Sequence, residues 1–162
     1  MIPFSRTTPP GVTVLLPHLL IGEYPTAADA VWLRTAHQVS AVVSLQDDAD
    51  LMSKGLNLEE LERAYERHGL IFHRVPVPDD SAQVLAMQLD EIVALVGRLT
   101  AHGHRVYLHC NAGMNRAPTV AIAYLHAVHG WSLSAAREFV KDRRHCVPYM
   151  QLLEARYASP DG

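Results

Sequence analysis

Short apolar runs rich in β-branched residues alternate with helical patterns along this chain, and that alternation restricts its possible folds more than any other feature. The apolar runs predict strands at about 12–16, 19–22, 39–45, 71–75 and 105–109. Amphipathic or apolar helical patterns follow at about 26–37, 57–69, 85–103, 118–130, 133–143 and 148–157. Strands that alternate with helices indicate an α/β fold with a central, largely parallel sheet flanked by helices.

The length of 162 residues suits a single domain, since a chain of this size can bury a sufficient core without staples. We expect residues 1–11, which contain adjacent prolines and no long apolar run, to form a flexible lead-in. The domain is predicted to cover residues 12–158, with no repeat or linker inside it.

Composition excludes several partner classes. A net charge of −3 and a basic group no longer than Lys141, Arg143 and Arg144 argue against a nucleic-acid binder. No apolar segment is long enough to predict a membrane span. Two cysteines, without a CxxC or disulfide-dense pattern, favour a reducing compartment and predict a cytoplasmic protein.

The segment HCNAGMNRAPT, residues 109–119, joins the last predicted strand to a helix with Pro118 in its first turn. Amides at a helix N-terminus have no intrahelical partner and carry partial positive charge, so a loop here can surround an oxyanion. We expect Gly113 to permit the tight curl. The predicted phosphate-binding residues are Asn111, Ala112, Gly113, Met114, Asn115 and Arg116.

Cys110 and Arg116 flank this loop and supply its predicted chemistry. The Arg116 guanidinium can form two parallel hydrogen bonds to phosphate oxygens, which lysine cannot reproduce. The same positive surroundings favour the thiolate form of Cys110, which is a nucleophile without the help of a base. The alternative is that Cys110 is only a small buried residue and Arg116 only a surface residue.

The pattern HC-x2-G-x2-R resembles the signature of the protein tyrosine phosphatase superfamily, and the small chain looks like a dual-specificity phosphatase. The resemblance implies the fold of that family and catalysis by Cys110 and Arg116 through a cysteinyl-phosphate intermediate. It also implies a general acid about thirty residues before the cysteine, a place that Asp79 occupies, with Asp80 as the competing choice. His109 is implied to brace the loop by hydrogen bonding.

No metal and no cofactor are expected, because the ten histidines show no HExxH or Cys/His ligand spacing. Cys146 is predicted to be a core residue at a helix end rather than a redox partner of Cys110.

Ala117 departs from the family, which commonly has a hydroxyl residue after the arginine to ease departure of the thiolate. Thr119 or a water is the candidate replacement.

A finer resemblance to glucan phosphatases lies in three stretches, namely RAP after the loop, SLQDDAD after the central strand, and RRHCVP near the end. It implies a phosphoglucan substrate. Phosphoprotein is the alternative substrate, and the alternative from a different functional class is a pseudophosphatase that binds phosphate without turnover. Asp80 and Asn115 depart from the glucan phosphatases, which have an aromatic residue and a glycine at these positions. Candidate substrate-facing aromatic residues are Trp32, Tyr24 and Tyr149, although such residues are more often core.

Overall fold

Five strands form one mixed sheet in the computed structural model, which describes residues 8–158. Their order across the sheet is β1-β2-β5-β3-β4. Strand β1 runs antiparallel to β2, and all the other neighbours are parallel. The prediction of a central, largely parallel sheet is therefore confirmed. The strands are β1 (Val12–Leu16), β2 (Leu19–Gly22), β3 (Ala41–Ser44), β4 (Ile71–Arg74) and β5 (Val106–His109).

Helices cover both faces of the sheet. They are α1 (Ala30–His37), α2 (Asp48–Ser53), α3 (Leu58–Arg67), α4 (Ala82–Ala101), α5 (Arg116–Ala127), α6 (Leu133–Arg143) and α7 (Met150–Arg156). Side chains from α4 to α7 pack with Ile21, Val43 and Leu108 on one face of the sheet. Side chains from α1, α2 and α3 pack with Leu20, Val42 and Tyr107 on the other. Because successive strand residues point to opposite faces, the buried strands β2, β3 and β5 are apolar up to their last residue.

One helix was not predicted. Strand β3 ends at Ser44, and α2 begins at Asp48, where no helical pattern was predicted. A capping box starts α2, because the Asp47 side chain accepts from the amide of Asp50 and the Asp50 side chain accepts from the amide of Asp47. Six residues are too few to show helical periodicity, so only this pair of aspartates could have indicated the helix.

The parallel strands place their carboxyl ends at one edge of the sheet, where α/β proteins bind ligands. Four connections meet there, and they are residues 110–115 after β5, residues 45–47 after β3, residues 23–26 after β2 and residues 75–81 after β4. The long α4 is capped by the Ser81 side chain, which accepts from the amide of Val84. Residues 75–81, which precede α4, reach the same edge.

Part of the predicted lead-in, residues 1–7, lies outside the described residues. Gly11, at its end, is held by Glu23, whose carboxylate accepts from the Gly11 amide at 2.6 Å. Across residues 8–158, none of the helices combines the length and apolar character that a membrane span requires.

Candidate active site

Cys110 lies at the carboxyl end of β5, and Arg116 begins α5, so the loop between them opens at the ligand-binding edge of the sheet. Both side chains are buried, with exposed fractions of 3% and 2%. A cavity of about 60 Å³ is formed over this loop. Its lining residues are Asp79, Cys110, Asn111, Ala112, Met114, Asn115 and Arg116.

Every backbone carbonyl from Cys110 to Asn115 accepts a hydrogen bond from another part of the protein. The carbonyls of Cys110, Asn111 and Ala112 accept, in that order, from His109 Nδ1 at 3.0 Å, the Tyr24 amide at 2.9 Å and Arg144 Nη2 at 2.9 Å. The carbonyls of Gly113, Met114 and Asn115 accept, in that order, from Arg144 Nε at 2.8 Å, the Val147 amide at 2.7 Å and Thr119 Oγ1 at 2.6 Å. Within residues 8–158, no amide of residues 111–115 donates to a protein acceptor. The carbonyls are therefore directed outward, and the amides are left for an anion.

Arg144 makes the largest contribution to this arrangement. Its guanidinium donates to the carbonyls of Ala112 and Gly113, and its Nη1 donates to the Thr13 hydroxyl of β1 at 3.0 Å. Gly113 has a φ of 68°, and a Cβ there would lie 2.7 Å from the Gly22 carbonyl and 2.6 Å from Arg144 Nη2. Only glycine therefore satisfies both the conformation and the space at this position.

We expect Arg144→Lys to lower kcat/KM toward a small aryl phosphate by about 10- to 100-fold. Lysine cannot donate to two adjacent carbonyls at once, and a hydrogen bond from a charged group contributes about 1.5–3 kcal/mol. The inhibition constant of inorganic phosphate should rise in parallel, since the loop that binds it loses its shape. The matched control is Arg143→Lys, because among residues 8–158 the Arg143 guanidinium contacts Phe139 of its own helix and forms no hydrogen bond to the loop. Equal kinetics for the two variants would contradict a role for Arg144 in shaping the loop.

Asp50 forms a buried ion pair with Arg116, and the sequence predicted no role for Asp50. Arg116 Nη1 donates to Asp50 Oδ2 at 2.7 Å and to the Val77 carbonyl at 2.7 Å. Burial by itself raises the pKa of the Asp50 carboxyl, but the hydrogen bond from Arg116, supported by the Asp47 amide, brings the net pKa below its usual value. Burial opposes the charge of Arg116 in the same way, yet Asp50 and Cys110 raise its pKa. The pair is thus charged in the folded protein.

The same carboxylate positions the start of the loop. Asp50 Oδ1 accepts from Asn111 Nδ2 at 2.7 Å, and Asn111 Oδ1 accepts from Gln46 Nε2 at 2.8 Å. Gln46 is buried, and its carbonyl accepts from Arg74 Nε at 2.9 Å. The polar stretch after β3 therefore supports both ends of the loop, at Asn111 and at Arg116. From the sequence, this stretch (SLQDDAD) carried only a resemblance, and no supporting role was predicted for it.

The two candidate acids occupy different positions. Asp79 lines the cavity, and its Oδ1 lies 3.5 Å from Arg116 Nη2 while half of its side chain is exposed. Asp80 has a left-handed φ of 59°, and its amide donates to Asp79 Oδ1 at 3.1 Å. The turn thus presents Asp79 to Arg116, and Asp80 supports it through the backbone.

The hydroxyl of Thr119 already forms two hydrogen bonds within the protein. It donates to the Asn115 carbonyl at 2.6 Å and accepts from the Tyr149 amide at 2.8 Å. Thr119 is fully buried, as is Ala117. Thr119 therefore does not replace the hydroxyl that Ala117 lacks, because its proton is directed to Asn115 and away from the sulfur. Asn115 is itself fixed, since its Nδ2 donates to the Val147 carbonyl at 2.7 Å.

The three candidate aromatic residues differ in their positions relative to the loop. Trp32 packs edge-on against His37 at 4.7 Å, beside the core on the α1 and α3 face, and lies away from the loop. Tyr24 is next to the loop through its amide, and the Lys54 ammonium lies 5.5 Å from its ring centroid. Tyr149 lies just before α7, where its amide donates to Thr119 Oγ1 at 2.8 Å, and burial raises its pKa, as do the negative charges of Asp80, Asp79 and Cys110. Backbone hydrogen bonds thus place Tyr24 beside the loop and Tyr149 beside α5, but neither is among the residues that line the cavity, and Trp32 packs on the other face of the sheet.

The remaining predicted residues lie as follows. His109 is buried and stacks on Tyr107 with ring centroids 5.6 Å apart. Cys146 is a buried free cysteine in the core on the α5 face, and burial raises its pKa. In residues 8–158 there is no cluster of three or more His, Cys, Asp or Glu side chains that could hold a metal ion.

Comparison with known proteins agrees with this geometry. The catalytic domain of the dual specificity phosphatase family matches residues 19–155. Laforin from Mus musculus is 31% identical over 144 residues, which are 82% of this chain and 44% of laforin. The amyloplastic phosphoglucan phosphatase DSP4 from Castanea sativa is 29% identical over 145 residues, covering 88% of this chain and 38% of that protein. This chain therefore spans less than half of either relative.

The solved structure of Tk-PTP in its active form is similar over most of both chains. It has a TM-score of 0.75 and 26% sequence identity, and the match covers 89% of this chain and 94% of that one.

Proposed function

The chain belongs to the dual specificity phosphatase catalytic-domain family, and from that premise we propose that it hydrolyses phosphate monoesters through a cysteinyl-phosphate intermediate on Cys110. The observation that carries the proposal is the outward direction of all six carbonyls around Cys110, which leaves the loop amides for a phosphate. Arg116 completes the phosphate site with its Nη2 toward the cavity, because Asp50 holds Nη1. The amides of residues 111–115 bind the phosphate oxygens.

In the first step the Cys110 thiolate attacks phosphorus, and the bond from phosphorus to the leaving oxygen breaks. Asp79 donates a proton to that oxygen, so the leaving group departs as an alcohol. In the second step the Asp79 carboxylate takes a proton from water, which attacks the cysteinyl-phosphate and releases inorganic phosphate and the thiolate. Ala117 offers no hydroxyl to the departing sulfur, so this second step should be slow.

Asp79→Asn should reduce turnover of alkyl phosphates by about 10² to 10⁴, since an alkoxide is a poor leaving group without a proton donor. The reduction should be much smaller with a nitrophenyl phosphate, whose leaving group needs little protonation. Asp80→Asn is the matched control, and it should leave both rates within a few fold of wild type. If Asp80→Asn instead reproduced the leaving-group dependence, the acid would be Asp80.

We further propose a phosphorylated glucan as the substrate. Support comes from the resemblance of RAP, SLQDDAD and RRHCVP to glucan phosphatases and from the likeness to the Castanea sativa protein, which is a phosphoglucan phosphatase by name. Two half-buried tyrosines, Tyr24 beside the loop and Tyr149 beside α5, suit a ring-shaped leaving group. Phosphoprotein is the second candidate, supported by a relative that is a protein phosphatase by name, human dual specificity protein phosphatase 8, which is 29% identical over 137 residues. The predicted cytoplasmic location stays a prediction.

Phosphate release from phosphorylated amylopectin and from phosphotyrosine peptides separates the two substrates. We expect the larger kcat/KM with amylopectin, measured with one enzyme preparation at equal phosphate concentration. A rate on amylopectin far below that on peptides would exclude the glucan. The pseudophosphatase alternative predicts no release from either substrate, and the presence of Asp79 at the cavity argues against it, since a pure binder needs no acid.

A further inference from the structure

A buried glutamine lies beside the phosphate loop, and no step of the proposed reaction uses it. Gln46 follows β3, and only 1% of its surface is exposed. Its backbone is fixed on both sides, because its amide donates to the Ser44 hydroxyl at 3.3 Å and its carbonyl accepts from Arg74 Nε at 2.9 Å. From this fixed position the side chain reaches the loop, where Nε2 donates to Asn111 Oδ1 at 2.8 Å.

The charge of Asp50 decides the direction of this hydrogen bond. Asp50 is ionised beside Arg116, so both of its carboxylate oxygens accept hydrogen bonds and neither donates. The Asn111 atom that faces Asp50 Oδ1 at 2.7 Å is therefore the donor Nδ2. Asn111 then presents its acceptor, Oδ1, to Gln46, and only a donor at position 46 satisfies it. The order from Gln46 through Asn111 to Asp50 thus follows from the carboxylate, which fixes how both amides are turned.

This row of hydrogen bonds reaches both ends of the phosphate loop. Asn111 is the first residue after Cys110, so its backbone amide is the first of those left for the phosphate. Asp50, at the other end of the row, also accepts from Arg116 Nη1 at 2.7 Å. Among residues 8–158, Asn111 Oδ1 has Gln46 as its only donor. Loss of that donor frees the Asn111 side chain to turn away from Asp50, and a shift of about 1 Å in a reacting site can cost about 10² in rate.

We propose that Gln46 is a positioning residue for phosphate binding, and that it acts through the hydrogen-bond donor Nε2, which holds Asn111 in place. Its effect on turnover rests on the proposed phosphatase function, whereas its effect on phosphate binding can be measured without turnover. Gln46 contacts no reacting atom, since the cavity is lined by Asn111 and not by Gln46.

A glutamate at position 46 provides a donor that can be switched by pH. It has nearly the shape of glutamine, but it donates only while its carboxyl is protonated. Both nearby arginines already have a carboxylate partner, so burial and the remaining negative charges raise the pKa of a carboxyl introduced here. The charged groups around position 46 are Arg74, Arg116, Asp47, Asp48, Asp50 and the Cys110 thiolate.

The test compares Gln46→Glu and Gln46→Met with the wild-type chain from pH 4.5 to 8, with each value divided by the wild-type value at the same pH. Calorimetry gives the affinity for inorganic phosphate, and steady-state kinetics give kcat/KM for an aryl phosphate. Gln46→Met should lower both by about tenfold at every pH, because Asn111 Oδ1 is left unpaired. Gln46→Glu should be close to wild type at the acidic end and should fall at least to the level of Gln46→Met as pH rises and its proton is lost.

The matched control is Gln151→Glu, which adds the same charge at an exposed position of α7 and should stay within about twofold of wild type at every pH. If Gln46 only fills space, methionine of similar volume should keep wild-type phosphate affinity, and that result would overturn the proposal. A ratio for Gln46→Glu that does not change with pH would overturn it as well, and this comparison holds even if Gln46→Met is unstable. A wild-type chain that binds phosphate but hydrolyses no ester would contradict the proposed phosphatase function, while the affinities would still decide the role of Gln46.

Discussion

Cys110→Ser is expected to lower the turnover of an aryl phosphate by about 10⁴ to 10⁶. A serine hydroxyl is not ionised at neutral pH, and the loop contains no base to take its proton. Binding of inorganic phosphate should stay within a few fold of wild type, because the loop amides and Arg116 are unchanged. Steady-state kinetics give the first quantity, and isothermal titration calorimetry with phosphate gives the second.

Cys146→Ser is the matched control for the nucleophile. Cys146 is buried like Cys110, but it lies in the core on the α5 face, and no residue of the loop depends on its sulfur. We expect its turnover per folded molecule to equal that of the wild-type chain. Turnover retained by Cys110→Ser, or lost equally in both variants, would remove Cys110 from the reaction.

Arg116→Met is expected to abolish turnover and also to lower the free energy of unfolding by about 3–5 kcal/mol. The substitution leaves the buried Asp50 carboxylate without its cation, since Arg116 Nη1 donates to it at 2.7 Å. Urea unfolding monitored by circular dichroism measures the loss of stability. In the double variant Asp50→Asn/Arg116→Met the unpaired charge is gone, so most of the stability should return while turnover stays absent.

The pH dependence of stability offers a second measurement of the same pair. The pKa of Asp50 is lower in the folded chain than in the unfolded one, so its contribution is fully present above the unfolded value of about 3.9. As pH falls through the lower folded value, the carboxylate is protonated and this contribution is lost. Arg116→Met should remove this acid-dependent loss. A double variant no more stable than Arg116→Met would contradict a charge-based account of the pair.

The strand and helix alternation could be predicted because each element is long enough to show its period. Helix α4 buries Leu85, Leu89 and Ile92 on one side, at the spacing of a helical stripe. Helix α2 could not be predicted in this way, since its six residues bury only Asp50 and Leu51. Its one local signal was the pair Asp47 and Asp50, which form the capping box.

The loop between Cys110 and Arg116 could be predicted from its local sequence, but the residues that shape it could not. Arg144 lies 31 residues after Gly113 in sequence, and only the packing of α6 beside β1 brings its guanidinium to the loop carbonyls. The sequence showed Arg144 only as part of a short basic group with Lys141 and Arg143, and nothing in that group indicates a residue that binds the loop. Asp50 and Gln46 are similarly distant from their partners Arg116 and Asn111.

At Thr119 the sequence position suggested a role that the hydrogen bonds of its hydroxyl do not support. Its place three residues after Arg116 suggested a replacement for the hydroxyl absent at Ala117. A threonine in a helix can donate to the carbonyl four residues earlier, and Thr119 does so with Asn115. Thr119 therefore does not replace the hydroxyl that is absent at Ala117, and the cysteinyl-phosphate should accumulate during turnover.

Accumulation of that intermediate tests the central claim most directly. Wild-type chain is mixed with an aryl phosphate, quenched in acid during steady turnover, and digested for mass spectrometry. We predict one phosphoryl group on a large fraction of Cys110 and none on Cys146. Steady release of phosphate with Cys110 unmodified, or with the phosphoryl group on another residue, would contradict catalysis by the Cys110 thiolate.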